Sequence, residues 1–122
     1  MRLQTAVSRQ PFVGLDEIAA NKISAKEMAT KVREASDVLK AMAHASRLMI
    51  LCILCEGERS VTELERMLAL RQPTVSQQLA RLRNDGMVAA RRDGKTIYYS
   101  LAGEQVREMV EAVQGIFCRG HG

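Results

Sequence analysis

The chain has 122 residues, 47% of which are hydrophobic, and a formal net charge of +4 at pH 7. This length allows one domain and a loose terminus, and a composition with two Phe, two Tyr and no Trp predicts an aliphatic core. No apolar run approaches the ~20 residues that a membrane-spanning helix needs, and the N-terminus lacks the apolar stretch of a signal peptide. We therefore expect a cytoplasmic protein with no membrane segment and no framework of structural disulfides.

The N-terminal part of the chain divides into an arm and a long helix. Residues 1–22 show weak periodicity, so we predict a flexible arm there and one compact domain at 23–120. Ser24, followed three residues later by Glu27, is a capping box and predicts the start of the helix. Its apolar stripe suits both a domain core and contact with a second copy of the chain, and consists of Met28, Val32, Ala35, Leu39 and Met42.

A second helix is predicted from Arg47 to Glu56. Every residue from Leu48 to Cys55 is apolar, which is typical of a helix buried on all sides. His44 lies at the boundary before this helix, where a capping role is favoured over metal binding.

Two helices in close succession follow. The first is short and amphipathic, ends at Leu68, and has Ser60 or Thr62 as its expected cap. The second opens at Gln72-Pro73, because proline suits the first helical turn. Val75, Leu79 and Leu82 recur at helical spacing in this second helix and are predicted to face the core.

The opposite face of that helix carries side chains that bond base edges and phosphates. We predict that it enters the major groove of double-stranded DNA. The residues concerned are Gln72, Thr74, Ser76, Gln77, Gln78 and Arg81.

A basic β-hairpin is predicted next. Gly86 is placed to take a left-handed cap, and the strands Met87–Arg92 and Thr96–Leu101 are joined by Asp93-Gly94. At the tip, Arg91, Arg92 and Lys95 are expected to hold phosphates or the minor groove. From Arg71 to Lys95 six basic and two acidic residues account for the whole net charge, which indicates a surface for a polyanion. The alternatives are a solvated basic hairpin or a module that binds another protein.

The last helix is predicted from Gly103 or Glu104 to about Cys118. It has an apolar stripe that needs a partner surface, such as the first helix of the same or another subunit. The stripe consists of Val106, Met109, Val110, Val113, Ile116 and Phe117.

No arrangement of residues predicts an enzyme. The chain lacks Ser-His-Asp, Gly-rich and paired-carboxylate patterns. Cys52 and Cys55 have the spacing of a thiol-oxidoreductase motif, but such motifs need the first cysteine at a helix N-terminus, and Cys52 lies within an apolar run. We therefore expect no catalytic residues and no cofactor.

The order of these elements and several short motifs resemble the ArsR family of dimeric bacterial repressors. The motifs are Leu39–His44 with Arg47-Leu48, Gly57-Glu58, Ser60–Leu64, Gln72–Leu79, Leu82-Arg83, Asp85–Val88 and Tyr98-Tyr99. The resemblance implies a mainly α fold with a small β-wing, that is, a winged helix-turn-helix homodimer. It also implies binding to an inverted-repeat operator and release when an inducer acts. Ala45 departs from the pattern, because many relatives carry proline there.

The residues that bind metals in many relatives are missing from the corresponding positions. Glu58–Leu64 contains no cysteine, and the last helix has no histidine before His121. These segments supply neither the nitrogen nor the sulfur ligands that transition metals prefer, so no metal site is expected. A metal-sensing repressor remains the alternative.

The cysteines are similar to those of the sulfide- and redox-responsive branch of the family, the SqrR, BigR and HlyU type. The resemblance implies that Cys52 and Cys118 face each other within a subunit, and that reactive sulfur species or oxidants link them through a disulfide or a polysulfide. Cys55 stands where an aliphatic residue is usual, either to fill core volume or to compete for Cys118. A thiol-inert regulator, and the choice between persulfide, peroxide and another electrophile, stay open.

Overall fold

The computed structural model describes residues 23–118, so the predicted arm at 1–22 and the last two residues of the predicted domain lie outside the described residues. Within these residues the backbone divides into two compact units, one that ends at Ser36 and one that begins at Asp37. The elements in chain order are α1 (Ala25–Met42), α2 (Ala45–Cys55), β1 (Arg59–Ser60), α3 (Val61–Leu68), α4 (Gln72–Asn84), β2 (Val88–Asp93), β3 (Thr96–Leu101) and α5 (Glu104–Cys118).

Helix α1 begins with the predicted capping box. The backbone N–H of Glu27 donates to Ser24 Oγ at 3.0 Å, and the N–H of Ser24 donates to Glu27 Oε1 at 3.0 Å. This reciprocal pair satisfies two donors that the first turn of a helix leaves free. Of the predicted apolar stripe, Met42 is buried, whereas Val32 and Leu39 are exposed. Only part of the apolar stripe of α1 is therefore buried in the core.

Helix α2 provides the centre of the core through Ile50, Leu51 and Leu54, which are buried. The prediction that it is buried all round is wrong on one side, where Met49 is 54% exposed. A continuous apolar run cannot reveal which side of a helix lacks a neighbour within its own chain. The helix also starts two residues earlier than predicted, because His44 caps it by accepting the N–H of Ser46 on Nδ1 at 3.2 Å.

Helices α3 and α4 form the predicted helix-turn-helix. Ser60, rather than Thr62, caps α3, and its capping box with Glu63 has bonds of 2.8 and 3.1 Å. Ala69 takes a left-handed conformation with φ 56° and ends α3, and α4 then starts at Gln72 with Pro73 in its first turn. The predicted core residues of α4, Val75, Leu79 and Leu82, are all fully buried.

The three strands form an antiparallel sheet in the order β1-β3-β2. Asp93 pairs with Thr96, so the hairpin loop is Gly94-Lys95 and the predicted loop Asp93-Gly94 was wrong by one residue. Gly94 has φ 67°, which suits the tight turn. Strand β1 was not predicted, because two residues are too short to show a periodicity.

Within the described part of the chain, no single helix is long and apolar enough to cross a membrane. Helices α1 and α2 meet these two criteria only when taken together, and the pair is sharply bent at Ala43-His44.

Candidate nucleic-acid interface and thiol site

Helix α4 has a fully buried apolar side and a polar side that faces outward. Because its three core residues fix the rotation of the helix, the polar residues between them must point away from the core. Of the six predicted DNA-binding residues of α4, Gln72, Gln77 and Arg81 are exposed, and Thr74, Ser76 and Gln78 are half-buried. The structure therefore places all six on one helix at or near the surface.

Several of these polar side chains are held by neighbours. Gln72 Nε2 donates to Ser76 Oγ at 2.8 Å, one turn further along α4. Arg81 Nε donates to the Asp85 carboxylate at 2.9 Å, and Gln78 Oε1 accepts from Arg47 at 3.2 Å. Such bonds limit the orientations available to side chains that would otherwise move freely at the surface.

The wing carries the three predicted cations in two different environments. Arg91 makes a two-pronged ion pair with Glu58, with Nε–Oε2 and Nη2–Oε1 distances of 2.8 and 2.7 Å. Its guanidinium also lies over the ring of Tyr98, 4.8 Å from the centroid. Arg92 and Lys95 are exposed on the same hairpin. Much of the charge of Arg91 is thus already balanced within the chain.

The ion pair between Arg91 and Glu58 shifts the pKa of both groups. Hydrogen bonding from Arg91 lowers the pKa of Glu58 below its ordinary value of 4.5. The same bond raises the pKa of Arg91. Glu58 was not among the predicted wing residues, because it lies 33 positions before Arg91 in the chain.

The predicted thiol pair lies where α2 packs against α5. Cys52 is half-buried on α2, and Cys118 is exposed at the end of α5. Burial raises the pKa of Cys52, the side chain of Gln114 lowers it, and charge at Cys118 raises it further. The two cysteines therefore belong to a pair of helices that are in contact, Cys52 to α2 and Cys118 to the last residue of α5.

Cys55 belongs to the same neighbourhood. Burial raises the pKa of this thiol, the guanidinium of Arg107 lowers it, and charges at Glu111 and Cys52 raise it. Arg107 Nη1 also donates to the carbonyl oxygen of Cys55 at 2.8 Å, so α5 is tied to the end of α2 beside the thiol. All three cysteines are present as free thiols.

No group of three or more His, Cys, Asp or Glu side chains is placed to hold a metal ion anywhere in residues 23–118.

Comparison with known proteins identifies the family. A model of the ArsR family of bacterial regulatory proteins matches residues 44–90. The biofilm growth-associated repressor of Agrobacterium fabrum is 47% identical over 91 residues, which cover 75% of this chain and 78% of that protein. The chain belongs to the ArsR family.

Among the solved structures that match the fold of this ArsR-family chain, two are informative here. Reduced HlyU from Vibrio cholerae has a TM-score of 0.73 and 41% sequence identity, covering 77% of this chain and 99% of that one. The homodimeric winged helix-turn-helix domain of Mb0332 from Mycobacterium bovis has a TM-score of 0.69 and 34% identity, covering 76% and 86%.

Family membership confirms the predicted winged-helix fold class and the resemblance to the branch that includes BigR and HlyU. It makes the protein a DNA-binding transcriptional regulator rather than an enzyme. The roles of the individual α4, wing and cysteine residues stay predictions.

Proposed function

We propose that the protein is a homodimeric repressor that binds an inverted-repeat operator and releases it when Cys52 and Cys118 are bridged by reactive sulfur species or an oxidant. The observation that supports the trigger is that Cys52 lies on α2 and Cys118 at the end of α5, two helices that pack against each other. A bridge between these residues joins two helices of the core, so it acts on the body of the domain rather than on a loop.

The homodimer is supported by the exposed apolar residues of α5. Ile116 is 40% and Phe117 72% exposed in the single chain, next to Cys118. Large apolar side chains in a row at the end of a helix are typical of an interface, because removing them from water is favourable by roughly 25 cal/mol per Å². The relative from Mycobacterium bovis is itself homodimeric.

The dimer gives the repressor its operator geometry. Two copies of α4 related by a twofold axis suit two half-sites about one DNA turn, ~34 Å, apart. The polar side of α4 approaches the major groove, and Arg92 and Lys95 of the wing lie against phosphates or the minor groove. A change in the spacing of the two subunits then weakens both half-sites together.

The sulfur chemistry balances without a further reagent when the inducer is a hydrogen polysulfide. Each cysteine thiolate attacks a sulfur of one HSSH molecule, breaks its S–S bond and expels hydrosulfide, which leaves a persulfide on Cys52 and on Cys118. The outer sulfur of one persulfide then attacks Sγ of the other cysteine, whose own outer sulfur leaves as hydrosulfide, and a trisulfide closes. With a peroxide, one thiol becomes a sulfenic acid with loss of water, and the second thiol closes a disulfide with loss of another water.

The bridge acts by changing the balance between two conformations. A bridge that stabilises the conformation with low DNA affinity by a few kcal/mol is enough to release the operator. Because burial raises the pKa of Cys52, little of its thiol is ionised at neutral pH, and bridging is expected to become faster as the pH rises.

The trigger is tested with Cys118→Ser and the matched control Cys55→Ser, on operator duplexes first selected from randomised DNA. Cys118→Ser is expected to bind like the unmodified protein and to stay bound after treatment with polysulfide, whereas Cys55→Ser is released. Mass spectrometry of the intact chain separates a trisulfide, which adds one sulfur atom and removes two hydrogens, from a disulfide, which only removes two hydrogens. Full release of Cys118→Ser would place the sensor elsewhere.

The division of labour between α4 and the wing is tested with Gln77→Ala and Arg92→Ala. The first is expected to relax operator preference, because base contacts carry sequence information. The second is expected to weaken binding to all sequences alike, because contacts to phosphates carry no sequence information. Equal losses on operator and random DNA for both variants contradict this assignment.

A further inference from the structure

Arg47, at the start of α2, connects the end of α1 to the recognition helix α4. Its Nε donates to the carbonyl oxygen of Ala41 at 2.6 Å and its Nη2 to that of Lys40 at 3.3 Å. Its Nη1 donates to Gln78 Oε1 at 3.2 Å. The side chain is half-buried and spans 31 positions of sequence to reach Gln78.

The two carbonyl bonds fix the plane of the guanidinium. Carbonyls in the last turn of a helix have no partner within it, and a cation there is favourable for the helix dipole. Because the guanidinium is rigid and planar, two bonds to the backbone leave Nη1 with a set direction. Lysine has the same charge but no such plane.

The hydrogen bond from Arg47 determines the orientation of the Gln78 side-chain amide. A guanidinium has donors only, so the amide must turn its oxygen toward Arg47 and its NH2 group away. A glutamine without such a neighbour presents either end. With Arg47 in place, the NH2 donors of Gln78 are directed away from Arg47 and are free to bind another acceptor.

We propose that Arg47 is a positioning residue that determines DNA sequence preference by fixing the amide of Gln78. The NH2 group then favours base edges that carry acceptors, which in the major groove are O6 and N7 of guanine, N7 of adenine and O4 of thymine, over cytosine, which offers only a donor. This inference rests on the proposed approach of α4 to the major groove.

Two simpler roles of Arg47 make different predictions. If Arg47 binds a phosphate, its loss weakens binding to every sequence and reduces the slope of log affinity against log salt by about one. If it only caps α1, its loss lowers the unfolding temperature and leaves the base preference unchanged. A positioning residue changes the preference at the base pair that Gln78 reads and leaves the salt slope intact.

The test uses the full chain and a randomised duplex library, from which bound sequences are selected and counted. Arg47→Lys and Gln78→Ala are each expected to reduce discrimination at the same base pair of each half-site by about tenfold. The double variant is expected to show no further loss, because both changes remove one interaction. Gln77→Ala is the matched control, and its effect is expected at another base pair and to add to that of Arg47→Lys.

Gln78→Glu provides a check that leaves Arg47 unaltered. It keeps an oxygen for Arg47 and removes the NH2 donors, so preference at that base pair is expected to move toward cytosine, whose N4 amino group is a donor. Thermal unfolding of every variant is followed in parallel. A preference profile for Arg47→Lys equal to that of the unmodified protein, with or without a lower unfolding temperature, overturns the inference.

The inference and the proposed function fail in distinguishable ways. If Gln78→Ala loses discrimination and Arg47→Lys does not, only the positioning role is wrong. If neither Gln77→Ala nor Gln78→Ala changes the profile, the approach of α4 to the major groove is wrong, and the role of Arg47 falls with it.

Discussion

Helices α4 and α5 are both amphipathic, yet they differ in how much of their apolar side one chain can cover. In α4, Val75, Leu79 and Leu82 are fully buried. In α5, Val110 is fully buried, but Ile116 and Phe117 near the end of the helix remain exposed. The described residues thus cover the apolar side of α4 fully and that of α5 only in part.

This difference separates two kinds of surface. A helix whose apolar side is satisfied is held rigidly by the core and offers only its polar side, which suits recognition of a polyanion. A helix with large apolar residues left in water gains free energy from a second copy of the chain. We therefore propose that α4 serves recognition and α5 dimerisation. Two predictions test this division, and two more extend it to the wing.

The largest effect is expected from Leu79→Ala, beneath the recognition helix. Removal of a fully buried leucine side chain should lower the free energy of unfolding by about 2–5 kcal/mol, since both burial and packing are lost. Urea denaturation at a fixed protein concentration measures it. The exposed Gln77→Ala is the control and should stay within about 0.5 kcal/mol of the unmodified protein. A small loss for Leu79→Ala would mean that α4 is less firmly anchored than its burial indicates.

The next effect is expected from Phe117→Ser, on the uncovered side of α5. The dimer dissociation constant should rise by at least about tenfold, because burying one phenylalanine side chain contributes about 1.5–3 kcal/mol. Sedimentation measures the monomer–dimer equilibrium. Met67→Ser is a matched control, since Met67 is half exposed on α3 rather than on α5. If both variants dimerise alike, α5 is not the interface.

A similar contrast exists in the wing, where the charge of Arg91 is paired with Glu58 and Arg92 is exposed on the same strand. Glu58→Gln should weaken the hold on Arg91 and add a cation to the DNA-facing surface. Affinity for random duplex DNA is expected to rise, and its dependence on salt to steepen by about one phosphate contact. Glu56→Gln changes the net charge equally, two residues away, without touching Arg91. The same increase in both variants would show that net charge alone is responsible.

The smallest effect is the response of that ion pair to pH. Arg91 lowers the pKa of Glu58, so the stabilisation is complete above the ordinary value of 4.5 and is lost as the pH falls through the lowered pKa. The NMR signal of Arg91 Nε–H is expected to stay constant from neutral pH down to that range and then to shift toward that of an unpaired arginine. The Glu58→Gln variant should lack this transition. A transition near neutral pH would implicate another group.

Local features of the fold followed from the sequence. The capping box of Ser24, the start of α4 at Gln72 and the left-handed Gly86 all depend on residues within about four positions of each other. The burial of Val75, Leu79 and Leu82 followed from their helical spacing. These features depend on local sequence and need no contact with a distant part of the chain.

Tertiary structure decided the features that depend on distant partners. Only folding brings Arg91 to Glu58 and Arg47 to Gln78, pairs that lie 33 and 31 positions apart. Strand β1 exists because β3 pairs with it, and Met49 is exposed because no residue between 23 and 118 covers that side of α2. Periodicity and capping report the preferences of a segment, whereas the partner of each side chain is fixed by how the segments pack.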